Sequence, residues 1–185
     1  MQTISNAIQI NHCLLKTVLQ NAKLVIDATC GNGSDTLFLA ENSPVAKIYA
    51  FDIQPAAVEN TKQQTLPYKN KITYICDSHS NVKKYIKQIP IDVAVFNLGY
   101  LPGAPHLIMT HTKTTLETLD IMRQLLKTNG IISITAYPGH TEGKREYNAL
   151  LNYTKAMDKH TYTVGWYQLH NHIDAPALCW IEKQG

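Results

Sequence analysis

The chain is 185 residues long, 44% of them hydrophobic, and its 17 Lys+Arg against 14 Asp+Glu leave a net charge of +3. At roughly 150 residues per domain, a single domain over residues 1–185 is expected, and the composition excludes a disordered tail, a collagen-like rod and a coiled coil. A charge of +3 is too small to imply nucleic acid by itself, yet it leaves room for a small RNA partner.

Short apolar runs alternate with longer helical patterns. Ile8, Leu15, Val18 and Leu19 recur at helical spacing, so residues 1–21 read as an N-terminal helical segment. LVIDA (Leu24–Ala28) is a short buried-type strand ending at a Gly-rich turn, and a helix follows through Thr36–Ala40. IYAFD (Ile48–Asp52) is the second strand, after which Pro55 suits the first turn of a helix. ITYIC (Ile72–Cys76) is the third; a helix over Asn81–Gln88 leads to the fourth, IDVAVFNL (Ile91–Leu98). Beyond a Gly/Pro loop, a long helix spans about Thr112–Lys127 and is stopped by Asn129-Gly130. IISITAY (Ile131–Tyr137) is the fifth strand and Glu142–Met157 a further helix. Two β-rich segments, Thr161–Leu169 and Ala177–Glu182, flank the turn-like stretch NHIDAP. Alternation of this kind predicts a doubly wound α/β fold: a mostly parallel seven-stranded sheet, helices on both faces, and an antiparallel C-terminal hairpin. In such sheets ligands lie beyond the carboxyl ends of the strands, and the chemistry is sought there.

After the first strand the chain reads Asp27-Ala-Thr-Cys-Gly31-Asn32-Gly33-Ser34-Asp35-Thr36. The glycines let the backbone bend and approach a ligand beside the positive end of a helix. Thr36 stands where a dinucleotide fingerprint would have its third glycine. Asp27 precedes the first glycine by four residues; a carboxylate there repels a pyrophosphate but can hold an ammonium group, directly or through water. The pattern therefore favours S-adenosylmethionine over NAD. Asp52, at the end of the second strand, can accept both hydroxyls of a ribose or cap the next helix. Asp77, Ser78 and His79 follow the third strand, where Asp77 can take the adenine amine with Ser78 or His79 along the ring edge, unless these residues only cap a helix. Asn97-Leu98-Gly99-Tyr100-Leu101-Pro102-Gly103 follows the fourth. The Asn97 carboxamide can accept from an amine and direct its lone pair at an electrophile, and Tyr100 can stack on a base. His140, after the fifth strand, is the best-placed proton acceptor, or simply a surface histidine.

The four cysteines (Cys13, Cys30, Cys76, Cys179) have no CxxC spacing, and no metal site is expected from the histidines. No apolar run nears the roughly 20 residues needed to span a bilayer, and no signal peptide is evident, so a cytoplasmic protein without a membrane partner is expected.

Taken together, DATCGNGSDTLFLA, FDIQ, DSH, NLGYLPG and YPGHTEGKREY, with the terminal segment ending in IEK, cover residues 27–183. In these strings the chain resembles the class I S-adenosylmethionine-dependent methyltransferases, and more narrowly the small bacterial group labelled rRNA methylases. The resemblance implies a Rossmann-like fold and S-adenosylmethionine held by Asp27, Gly31, Asn32, Gly33, Asp52 and Asp77 with their neighbours Ile53, Gln54, Ser78 and His79. Asp35 and Thr36 would add contacts, and Asn97 would stand at the methyl-transfer point with Tyr100 and His140. It also implies a tRNA substrate: members of the group act in the anticodon region on a wobble uridine bearing an aminomethyl group, giving 5-methylaminomethyl-2-thiouridine. One departure is Glu142, where a second glycine would be expected. Ribosomal RNA or a small amine as substrate, an NAD-linked oxidoreductase, a non-enzymatic cofactor sensor and a homodimer all stay open.

Overall fold

The structure, a computed structural model, describes residues 6–86, 89–99 and 110–185. Helix α1 (Ala7–Leu19) starts at Asn6, whose side chain accepts from Gln9 N, and buries Ala7, Asn11, Leu15 and Leu19 along one stripe. Strand β1 (Leu24–Asp27) leads into α2 (Ser34–Asn42), and β2 (Lys47–Asp52) into α3 (Pro55–Gln64), which opens on Pro55 as expected. Strand β3 (Ile72–Cys76) is followed by a 3-10 turn (His79–Asn81) and the short α4 (Lys83–Ile86), where the sequence suggested one helix over 81–88. Then come β4 (Ile91–Asn97), α5 (Thr112–Leu125), β5 (Leu126–Ala136), α6 (Thr141–Lys155), β6 (Tyr162–Gln168) and β7 (Ala177–Lys183).

The seven strands form one sheet in the order β3-β2-β1-β4-β5-β7-β6. The first five run parallel, while β7 pairs antiparallel with both β5 and β6. The doubly wound, mostly parallel reading therefore holds. Apolar side chains fill both faces, which is why the strands are continuous apolar runs instead of alternating ones. Leu24, Ile26, Tyr49, Phe51, Ala94 and Phe96 face one core with Leu119, Met122 and Leu150 of α5 and α6. Val25, Ile48, Ala50, Val93 and Val95 face the other, with Leu15 and Leu19 of α1 and Leu39 of α2. Each Val, Leu, Ile, Phe or Met among them, fully buried, contributes about 1.5–3 kcal/mol.

Strand order reverses between β1, which continues outward to β2, and β4, which continues the other way to β5. The carboxyl ends of β1 and β4 thus bound the crevice where open α/β sheets take ligands. One boundary departs from expectation. Asn129-Gly130 does not stop α5; the helix ends at Leu125, and the pair sits inside β5, with Asn129 at φ 60°. There the β4–β5 register shifts between the pairs Ile91–Leu126 and Val93–Ile131, so the left-handed residue serves a bulge.

Candidate active site

A cavity of about 1020 Å³ opens at the carboxyl ends of the parallel strands. From the sequence expectations it gathers Gly31, Asn32, Asp35, Asp52, Ile53, Gln54, Asp77, Ser78, His79, Asn97 and His140 on its wall. Asp27, Gly33 and Thr36 stand behind that wall, and Tyr100 lies outside the described residues. Thr29, Thr110, His111, Thr114, Tyr137 and Asp174 also line the cavity. Of these, Thr29 and Tyr137 have a readable signal, in the quoted strings DATCGNGSDTLFLA and YPGHTEGKREY, Tyr137 directly following β5; Asp174, in the left-handed region at φ 51°, reads in the sequence only as a turn residue.

The first loop is built around Asp27. Its Oδ1 accepts from Thr29 N at 3.2 Å and its Oδ2 from Thr36 Oγ1 at 2.6 Å, and the side chain is buried. Gly33 holds φ +92°, and a Cβ there would meet Thr61 Cα at 2.8 Å, so backbone conformation and the approach of α3 both require glycine. Asp52 ties the loop to β2: Oδ2 accepts from Gly31 N at 3.0 Å and Oδ1 from Gln54 N at 2.9 Å. An ionised carboxylate offers about four acceptor sites, so with Gly31, Gln54 and Ile53 of the backbone acting on it, capacity is left for a ligand hydroxyl.

After β3, Asp77 accepts from Ser78 N, Asn81 Nδ2 and Tyr85 OH, at 2.7–2.9 Å. The Asn81 hydrogen bond leads in holding its carboxyl below the usual range. The capping reading is realised beside it: Ser78 caps the 3-10 turn, accepting from Ser80 N. His79 is buried, and desolvation lowers it to about 4, so it is neutral. Its Nδ1 lies 2.7 Å from Thr118 Oγ1, and that hydroxyl donates to Thr114 O. Thr118 can therefore only accept from the ring, which places the imidazole proton on Nδ1.

At the switch point Asn97 N donates to Thr29 Oγ1 at 2.7 Å, locking the end of β4 to the first loop. Its carboxamide is held on both sides: Nδ2 donates to Asp35 Oδ2 at 2.8 Å, and Oδ1 accepts from Tyr137 OH at 2.7 Å. One N–H and one lone pair of the amide remain for a ligand. Tyr137 is raised to about 12 by burial and then by the charge of Asp35, so it stays a donor.

His140 does a job that differs from the expected one. It caps α6, with Nδ1 accepting from Gly143 N at 3.0 Å. The Nδ1 lone pair is thereby engaged by the backbone and is not free to act as a general base. Gly143 supplies the glycine of this turn: a Cβ there would lie 2.0 Å from Tyr137 O. Glu142 accepts from Arg145 and from Thr112 Oγ1, at 3.4 and 3.5 Å, so it adds side-chain contacts at the same turn.

The electrostatics are one-sided. Four aspartates line the cavity (Asp35, Asp52, Asp77, Asp174), with no Lys or Arg among the described lining residues. Such a wall repels a diphosphate and attracts a cation.

The sequence profile of the family described as "Putative rRNA methylase" matches residues 48–183. A chloroplastic tRNA (mnm(5)s(2)U34)-methyltransferase of Arabidopsis thaliana is 32% identical over 192 aligned positions, covering 96% of this chain and 69% of that protein. The crystal structure of a "putative rRNA-methylase" from Clostridium thermocellum superposes with a TM-score of 0.93 at 36% identity, over 98% of this chain and 100% of that one. A "putative methyltransferase" from Streptococcus mutans, in complex with SAH, gives 0.87 at 37% identity, over 98% and 99%.

This fold with this cavity is that of a class I S-adenosylmethionine-dependent methyltransferase. Within that class the chain belongs to the rRNA methylase family, and its cofactor is S-adenosylmethionine. The acidic wall fits a cofactor bearing a sulfonium and an ammonium.

Proposed function

We propose that the enzyme N-methylates the 5-aminomethyl group of a tRNA wobble (2-thio)uridine, giving 5-methylaminomethyl-2-thiouridine. The observation that carries this reading is the Asn97 carboxamide, held rigidly at the switch point with one donor and one acceptor to spare, in a cavity walled by four aspartates. The name of the Arabidopsis relative supports the same substrate. Asp52 would take the ribose hydroxyls, the Gly31–Gly33 turn the amino-acid part, and Asp77, Ser78 and His79 the adenine edge. Asp27 would act from behind the turn, by fixing Thr29 and Thr36. When bound, the cofactor supplies an electrophilic methyl group.

The rest is positioning. The Asn97 oxygen accepts from the substrate amine and aims its lone pair, and Tyr100 stacks the uracil. The amine must be neutral to attack, yet an amine titrating like lysine is neutral in only about one molecule in two thousand at pH 7. The aspartates recruit the ammonium and also hold its proton, so a base is needed. With His140 Nδ1 engaged as a cap, proton removal falls to water in the cavity.

Asn97→Ala is expected to cut methyl transfer by about 10²-fold while leaving cofactor affinity, read by calorimetry, nearly intact. Unchanged turnover removes Asn97 from the mechanism. Mass spectrometry of tRNA nucleosides from a strain lacking the gene should show the unmethylated aminomethyl nucleoside accumulating. Methyl incorporation into rRNA or small amines, with none into tRNA, would replace the substrate.

A further inference from the structure

The N-terminal helix reaches the site through one side chain. His12 Nε2 of α1 lies 2.8 Å from Asp35 Oδ1, and its ring lies flat on Phe38, with centroids 3.8 Å apart and planes 6° from parallel. Asp35 and Phe38 are three residues apart on α2, so one face of that helix presents both the carboxylate and the stacking platform. The other carboxylate oxygen, Oδ2, accepts from Asn97 Nδ2, and Asn97 Oδ1 accepts from Tyr137 OH. The hydrogen bonds therefore run from α1 through α2 to the ends of β4 and β5.

Each link has one sense. An ionised carboxylate only accepts, so His12 Nε2 carries a hydrogen and Asn97 turns its NH2 toward Asp35. The amide oxygen is thereby committed to the Tyr137 side, and the spare N–H and lone pair stand in a fixed order. Without the imidazole, Asp35 Oδ1 loses this donor. Asp35, with 15% of its side chain exposed, can then turn toward water, and Asn97 loses the acceptor that distinguishes its nitrogen from its oxygen.

We propose that His12 is a positioning residue for methyl transfer, fixing the orientation of the Asn97 carboxamide through Asp35. This role rests on the reading of Asn97 above and extends the site to a helix that precedes the sheet. It also gives Asp35 a structural task beside any contact with cofactor.

The test uses the full chain. In 15N-labelled protein without cofactor or RNA, the Asn97 side-chain NH2 pair is identified by its loss in Asn97→Ser. Its exchange with solvent is expected to be about tenfold faster in His12→Ala than in the wild type. His12→Gln keeps an N–H donor at similar reach and should restore slow exchange. In turnover on aminomethyl-bearing tRNA, His12→Ala should lose about 10²-fold in kcat with KM nearly unchanged, and His12→Gln should recover most of it. Equal exchange in wild type and His12→Ala, or equal losses in the Ala and Gln variants, overturns the role of His12. Exchange that accelerates while turnover holds overturns the catalytic relevance of the chain, and with Asn97→Ala still active it locates the failure in the reading of Asn97.

Discussion

Burial raises the Asp27 carboxyl to about 7, with the charge of Asp35 adding to the effect. Folding therefore favours its protonated form, and the folded chain keeps a proton that the unfolded chain releases above about pH 4. Stability contributed by that proton is present at low pH and lost as pH rises toward 7, on the order of 4 kcal/mol in all. Asp27→Asn preserves the shape; its oxygen still accepts from Thr29 N, while its NH2 donates to Thr36 Oγ1, reversing that bond as a protonated carboxyl would. Its melting temperature should match the wild type near pH 4 and exceed it at pH 8; a gap that does not change with pH would contradict this account. Sequence could locate Asp27 beside the cofactor loop because strand ends are predictable, but not that Thr29 and Thr36 would claim both its oxygens. For His140 the position at a strand end was legible and suggested a proton acceptor, whereas the cap shows only once Gly143 N–H is placed against Nδ1. His12 left no signal, because its partner lies 23 residues away on another helix.

Helix α6 begins where the chain leaves β5 and turns back at once. The turn works because nothing projects from Gly143: a Cβ would lie 2.0 Å from Tyr137 O and 2.8 Å from His140 Nε2. Gly143→Ala must displace backbone carbonyl and cap together, which should cost about 3 kcal/mol and lower the melting temperature by about 6–12 °C. Far-UV dichroism during melting checks this, and a shift under about 2 °C would show that the turn relaxes. The strands were the most legible elements, since burial on both faces makes them apolar runs that polar helix surfaces interrupt. Asn129-Gly130 misled because a left-handed residue ends a helix and makes a bulge with the same chemistry. Residues 79–86 misled for another reason: once His79 turns inward onto Thr118, the backbone takes a 3-10 turn before α4 can begin.

At the scale of the molecule, a net charge of +3 and an acidic active-site wall leave little electrostatic grip for RNA. If tRNA is the substrate, a few phosphates at most are neutralised, and a plot of log affinity against log salt should have a slope of about −2 to −3. Salt-independent binding would contradict such docking. The order of strands carries a separate cost, one of timing. β7 lies between β5 and β6, although β6 is synthesised first. Until Ala177–Lys183 emerges, the apolar edge from Ile131 to Ala136 has no neighbour on that side, and Tyr162–Gln168 has no strand to join. The nascent chain thus carries these open β-edges from the completion of β5 until β7 emerges, the condition in which proteins stick to one another or call on chaperones.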